Sequence, residues 1–288
     1  MLRPGTHVLR RLGGQLQVGL DHGTALVLPD REQVRHTLRL LSASADLAEY
    51  ADQTTVDLLE RHGLVVDEGR LMPLLSDDAV SPHTSAAVVR ATGPAAPGVI
   101  AARRRSRVEV RTFGHPVAAA LHDDFRALAH AAGIRRPTGR ETATDCGVLL
   151  GVGEPDRELV DSWTRAGTPY LLVRLTEGRA VLGPFVAPGQ TACVRCVDAH
   201  CADADPSWPL LVRQYASAAS RDRPDGAPEP LDPLLASLAV AWAARDLASY
   251  VDGLRPSTWS STVTLHGHLS RIEHRSWLRH PACCCTWD

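Results

Sequence analysis

Two short runs carry the side chains best suited to chemistry. Cys193-Val194-Arg195-Cys196 sets two thiols at the spacing that lets both sulfurs reach one ion from a tight turn. His280-Pro281-Ala282-Cys283-Cys284-Cys285 supplies the other half near the C-terminus. Four thiolates around zinc close a tetrahedral structural site, which here would tie the end of the chain back to its middle. The expected ligands are Cys193, Cys196, Cys283 and Cys285, with Cys284 as the substitute in the terminal pair. A catalytic zinc instead keeps an open position and draws on other ligand types, and His200, Cys201 and His280 keep that alternative open. Cys201 as a reactive thiol is a further alternative, although a non-ligand cysteine beside a zinc turn more often packs. Cys146, just before an apolar strand, reads as core.

These residues need a scaffold, and the sequence outlines one. Thr6 to Leu9, Leu16 to Gly19 and Ala25 to Leu28 read as short strands separated by Gly13-Gly14 and Asp21-His22-Gly23. Asp30 is a suitable N-cap for a helix through Val34, Leu38 and Leu41, and a second helix near residues 52 to 61 carries Val56, Leu58 and Leu59. Leu64-Val65-Val66 with Leu71-Met72 reads as a further hairpin. The first 75 residues therefore describe a small α+β unit of winged-helix type. Residues 76–105, rich in Ala, Ser, Pro and Gly, read as a linker, with the boundary near residue 90. Beyond it, strand Val108 to Val110, helix Pro116 to Ala132, strand Gly147 to Gly151, helix Asp156 to Ala166 and strand Tyr170 to Val173 alternate as in an open, largely parallel sheet. An Ala-rich helix from Leu231 to Val251 and two late strands complete residues 106–288.

Composition narrows the function. The 288 residues carry 31 basic and 33 acidic side chains, so the net charge of −2 offers no footprint for nucleic acid. The one dense basic run, Arg103-Arg104-Arg105 with Arg107, reads as a solvated linker. No apolar stretch approaches the ~20 residues that cross a bilayer, and no signal-peptide core follows Met1, so a cytoplasmic protein without a membrane partner is expected. An odd count of 7 cysteines there favours metal ligands over a disulfide framework. Every basic residue is Arg; with no Lys anywhere, Schiff-base chemistry and a Walker-type phosphate loop are excluded.

The run Leu182-Gly183-Pro184-Phe185-Val186-Ala187-Pro188-Gly189-Gln190-Thr191-Ala192-Cys193-Val194-Arg195-Cys196, with the terminal cysteines, resembles the ThiF-type superfamily that includes MoeB, HesA and ubiquitin-activating enzymes. More narrowly the chain resembles the ThiF-like leader-peptide-binding proteins of azoline peptide biosynthesis, whose first ~75 residues form a winged-helix recognition element. Arg3-Pro4-Gly5-Thr6-His7-Val8-Leu9-Arg10 and Leu16-Gln17-Val18-Gly19-Leu20 carry that narrower likeness. The resemblance implies a Rossmann-like domain, homodimers and, in active members, adenylation of a C-terminal carboxylate with MgATP. Here the sequence departs. Where G-x-G-x-x-G should follow the first strand stands Phe113-Gly114-His115-Pro116-Val117-Ala118, and Pro116 is suited only to a first helical turn. Between Gly133 and Gly147 there is room for little of the usual second strand-helix unit. Gly151-Val152-Gly153 reads as a strand-end loop, and Asp123-Asp124 and Asp203-Ala204-Asp205 as solvated surface rather than magnesium ligands.

The expectation is a degenerate fold that keeps its zinc and its sheet and has lost ATP and magnesium. Such a protein would bind a ribosomal precursor peptide by strand addition and deliver it to a YcaO-type cyclodehydratase. The groove would lie between Ala25, Leu26, Val27 and Leu28 and the helix bearing Val56, Leu59 and Arg61, with Arg35 and Arg61 facing acidic leader residues. An active adenylyltransferase with a diverged nucleotide site and a winged-helix DNA regulator are the alternatives. The helix of Trp242 would pack at a dimer interface or inside the core.

Overall fold

The computed structural model describes residues 1–43, 51–76, 80–135 and 144–286. It divides into two compact units, Met1–Ala101 and Ala102–Asp288.

In the first unit, β1 (Val8–Arg11), β2 (Gln15–Val18) and β3 (Leu26–Pro29) form an antiparallel meander in the order β1-β2-β3. Alternation puts Leu16, Val18, Leu26 and Leu28 on one face, where they meet Val34, Leu38 and Leu41 of α1 (Glu32–Ser42) and Leu59 of α2 (Gln53–Arg61). Asp30 does not cap α1. The cap position falls on Arg31, and the Asp30 carboxylate instead accepts from Arg35 at 2.8 Å.

The expected second hairpin is absent among the described residues. Val65 makes only a bridge to Leu2, and Leu71-Met72 belong to α3 (Glu68–Leu75). Asp67 decides this by accepting from the Gly69 amide as an N-cap, which favours a helix over a returning strand. The expected linker is likewise helical where described. α4 (Pro82–Thr92) starts from the Ser81 cap, α5 spans Ala96–Arg105, and Val88, Val89, Ala96 and Ile100 pack with Leu71 in a small core. Pro82 and Pro94 sit at helix starts, where a missing amide costs nothing.

The second unit is built on one six-stranded mixed sheet in the order β4 (Val108–Gly114), β5 (Cys146–Val152), β6 (Tyr170–Thr176), β7 (Arg179–Val186), β8 (Ser261–Leu265) and β9 (Ile272–Ser276). Only β4, β5 and β6 run parallel; the remaining pairs are antiparallel, so the sheet is half parallel rather than largely so. β5 is buried along its whole length, as its uninterrupted apolar run requires. Val148 and Leu150 face α6 (Ala118–Ala131) and α10 (Pro233–Val251); Leu149 and Leu172 face the opposite layer with Val160 and Trp163 of α7 (Arg157–Arg165). That layer also holds α8 (Val194–Ala204), and α9 (Trp208–Ala218) follows it; neither helix had an evident apolar period in the sequence. α10, at 19 residues, is the one described helix long and apolar enough to cross a membrane. Its Leu235, Ala239, Val240, Ala243 and Leu247 pack on the sheet, and Trp242 stays half-buried, donating to Ser257 Oγ at 2.7 Å.

The basic run is helical and partly solvated: Arg104 and Arg105 are exposed at the end of α5, and Arg103 is not. Arg103 is buried, with both arms of its guanidinium on Asp252 at 2.7 and 2.6 Å and a third bond to the Ala132 carbonyl at 2.8 Å. Arg107 pairs with Asp145 at 2.6 Å.

Candidate functional site

The four expected ligand cysteines converge. Cys193 is the N-cap of α8 and Cys196 lies in its first turn; the last described residues return Cys283 and Cys285 beside them. The sulfurs stand 3.7 Å apart for Cys193–Cys196, 3.6 Å for Cys193–Cys283 and 3.3 Å for Cys196–Cys285, and all four lie within 4.8 Å of one another. Sulfurs at about 2.3 Å from one zinc stand about 3.8 Å apart at the corners of a tetrahedron, so this cluster can hold a metal ion with little rearrangement. Cys196 is held down to about 4 by the hydrogen bond from Cys193, while Cys193 is pushed up by that same bond and by its burial. Burial pushes Cys283 up to about 12. A divalent cation would replace those protons and stabilise all four thiolates.

The alternatives around the cluster divide by geometry. Cys284 points to solvent and Cys201 is half-buried, both outside the four-sulfur group. His280 is buried, and its Nδ1 accepts from the Ala282 amide at 3.1 Å. The proton therefore sits on Nε2, which faces Asp203 at 3.0 Å. His200 Nε2 donates to the Leu278 carbonyl at 3.0 Å. These bonds brace the cysteine segment, and His200, Asp203 and His280 also bring their ligand atoms within 4.8 Å of one another, a second group that could hold a metal ion. Cys146 is core, at 1% exposure.

The carboxyl ends of the parallel strands are where a doubly wound sheet binds its ligand, at a reversal of strand order. Strand order here runs in sequence from β4 to β9, with no reversal among the described strands. Residues 136–143, where a second strand-helix unit would fall, lie outside the described residues. The chain's own groups occupy part of that end, where Phe113, Gly114, Glu154 and Pro155 also line an open cavity. The Phe113 ring lies against Gly151, so close that a Cβ there would stand 2.5 Å from it. Ala219 covers Gly153, and Tyr215 bonds Thr176 through their hydroxyls at 2.8 Å. Gly114, at φ +77°, permits contact with β5: an added Cβ would meet the Val152 carbonyl oxygen at 1.8 Å. This glycine therefore serves strand packing, not a phosphate. The first amides of α6 are also spoken for, since Val117 donates to His115 Nδ1 and Ala118 to the His115 carbonyl. His115 Nε2 lies 3.0 Å from Asp222. Asp123 and Asp124 are exposed on α6, and Asp203 and Asp205 at the end of α8.

That cavity, of about 1480 Å³, runs from the end of β4 between α7, α8, α9 and the cysteine segment. Its walls alternate Arg157, Arg195 and Arg213 with Glu154, Asp161 and Asp198, giving no field of one sign. Beneath it lies an ion network that sequence reasoning missed, because no spacing signal links these positions. Arg157 bonds Asp198 at 2.7 and 2.8 Å and Glu154 at 3.0 Å, and Glu154 accepts from Arg174 at 2.5 Å. Burial pushes Asp198 up, but the Arg157 guanidinium more than reverses this and leaves it below the usual carboxylate range.

In the first unit the expected groove residues divide by role. Leu26, Leu28, Val56 and Leu59 are buried, Ala25 is half-buried, and Val27 is exposed. Arg35 is engaged by Asp30 and Glu32, and Arg61 donates to the Asp57 carbonyl at 3.3 Å. β3 is an edge strand. Asp30 N donates to Gly14 O, and with Gln17 opposite Val27 the ladder alternation leaves the Val27 N–H and C=O pointing away from β2.

A mixed α/β unit with a buried four-cysteine cluster, joined to a meander-and-helix unit, is the class defined by these features. No family model and no curated protein matches the chain. Solved structures do. The heterocyclase TruD superposes over 99% of this chain and 42% of its own, with a TM-score of 0.67 and 17% identity. A heterocyclase in complex with substrate and cofactor covers 99% of this chain and 39% of its own at TM-score 0.66 and 15% identity. E. coli MccB, solved with succinimide, covers 100% and 99% at TM-score 0.63 and 12% identity. The chain thus shares its fold with all three, and spans about two fifths of the length of the heterocyclase chains.

Proposed function

We propose that the chain is a non-catalytic, ThiF-like precursor-peptide-binding partner in the cyclodehydratase machinery of ribosomal peptide modification, delivering its peptide to a YcaO-type enzyme. The observation that carries this reading is the pairing of two features. The glycine of the turn after β4 packs against the Val152 carbonyl and the first amides of α6 are taken by His115, while β3 keeps an unpaired edge among the described residues. Similarity in fold to a heterocyclase, and to MccB, which has been solved with MccA and with ATP, supports the setting. In this reading Met1 to Leu75 act as a winged-helix recognition element, the cysteines hold a structural zinc, and the protein works as a cytoplasmic homodimer.

The leader would add as a strand along β3, its main chain bonding Val27 and its side chains meeting Ala25 and Arg61. Leu26, Leu28, Val56 and Leu59 hold that strand and helix from beneath, and Arg35 braces the entry to α1.

Affinity capture of the full-length protein from its host, with intact-mass analysis, is expected to recover a short ribosomal peptide. Titrating its synthetic copy against Val27→Pro should show at least about ten-fold weaker binding, because proline removes the outward N–H of an edge strand while sparing the ladder. Unchanged affinity in a folded variant would remove the β3 reading, and recovery of no peptide would remove the function. Pyrophosphate exchange with that peptide is expected to be absent at millimolar MgATP; exchange would establish the adenylating alternative.

A further inference from the structure

β1 lies at the opposite edge of the meander from β3, with no strand beyond it among the described residues. The Gly19 amide donates to the His7 carbonyl at 2.9 Å, which fixes the ladder alternation. Leu9 and Arg11 therefore exchange bonds with Gln17 and Gln15 of β2, and the N–H and C=O groups of Val8 and Arg10 point outward. The side chains of Val8 and Arg10 stand opposite Val18 and Leu16, on the inner face of the sheet. There an open groove of about 560 Å³ runs between β1 and α1, lined by the apolar Val8 and Leu38 and by Arg10, Arg35, Arg39 and Glu32. Glu32 is held by Arg35 at 2.7 Å and reached by Arg39 at 3.3 Å, and Arg35 also holds Asp30. Arg10 is exposed and has no acceptor among the described residues, so the groove carries one cation more than its carboxylates balance.

We propose that this groove takes an extended acidic segment of a partner protein, added as an antiparallel strand beside β1. A strand in that place bonds to the outward groups of Val8 and Arg10, and the side chains opposite those two residues turn onto the same face, toward α1. Chain direction then sets the recognised pattern. An acidic side chain opposite Arg10 supplies the charge that Glu32 and Asp30 leave unmatched, with the exposed Arg39 lining the same groove. Two residues later, an apolar side chain comes opposite Val8 and meets Leu38. The pattern is acid-x-apolar. A basic segment meets like charge at Arg10 and Arg39 instead. Because β1 and β3 are opposite edges of one three-stranded sheet, this segment and a peptide on β3 can be held together.

Selection of a random heptapeptide display library on the full-length chain tests this independently of leader binding. Enriched peptides are expected to carry acid-x-apolar. Their synthetic copies should bind at least about ten-fold more weakly to Arg10→Glu and to Val8→Pro, while binding Val27→Pro as tightly as the wild type. Lysine in place of the acidic residue should abolish binding to the wild type and restore it to Arg10→Glu, which a variant that merely failed to fold could not do. Peptides lost at Val27→Pro and kept by Arg10→Glu would belong to β3, overturning this proposal while leaving the leader reading intact. A selection that enriches no acid-x-apolar pattern, or an affinity indifferent to the Arg10 reversal, would overturn it as well.

Discussion

Cys193→Ser is expected to abolish metal binding and with it most of the stability of the unit Ala102–Asp288. The sulfur is buried between Cys196 and Cys283, at 3.7 and 3.6 Å, and a serine oxygen is both a poorer zinc ligand and too short to reach the same point. Structural zinc contributes folding free energy directly, on the order of 10 kcal/mol or more in small zinc-binding peptides, so a loss of at least about 5 kcal/mol is expected here. Elemental analysis should fall from one zinc per chain to none, with insoluble protein or a collapsed thermal transition. Cys284→Ser is the control: its side chain is exposed outside the cluster, and it should retain the metal. A metal-free wild type of equal stability would contradict the reading.

Arg157→Met should cost about 3–5 kcal/mol, the range for breaking a buried ion pair by removing one partner. The methionine leaves Asp198 and Glu154 facing each other with side chains only 15% and 11% exposed. Asp198 would keep the Trp208 indole at 3.0 Å but lose two charged hydrogen bonds. Denaturant unfolding measures the loss. The pH dependence has a defined sign. A carboxylate depressed in the folded state contributes stability that is fully present above its unfolded value of about 4 and is lost as pH falls through its folded value. The wild type should therefore lose this contribution on acidification, and Arg157→Met should show a flatter acid limb because its Asp198 is no longer held low. An unaltered midpoint would show that the network contributes nothing net.

How much was legible in the sequence follows from the range of the forces involved. The meander, α1, α2, β5, α7 and α10 were readable because strand alternation, helical period and apolar runs are local patterns. The linker assignment failed because Ala, Ser, Pro and Gly mark loops only on average. At Ser81-Pro82 and Pro94 they cap and start helices, and Val88, Val89 and Ile100 find partners in Leu71 that lie far off in sequence. The missed α8 and α9 are short and weakly apolar, and the cysteine bonds and the Asp198 pair lie among their contacts.

By itself the sequence determined the inventory: two thiol pairs at ligand spacing, no lysine, one surviving glycine at the turn after β4, and a charge balance unsuited to nucleic acid. Ligand spacing is covalent and needs no fold to be read. Only the tertiary structure decided which two cysteines of the terminal three turn inward, that Gly114 answers to the Val152 carbonyl, that Arg103 and Arg157 are buried partners of distant aspartates, and that β3 and β9 end their sheets among the described residues. Each of these depends on which groups are left facing each other once the sheet has closed over its apolar faces, and burial makes such pairings decisive because an unmatched charge, thiol or amide there has no water to turn to.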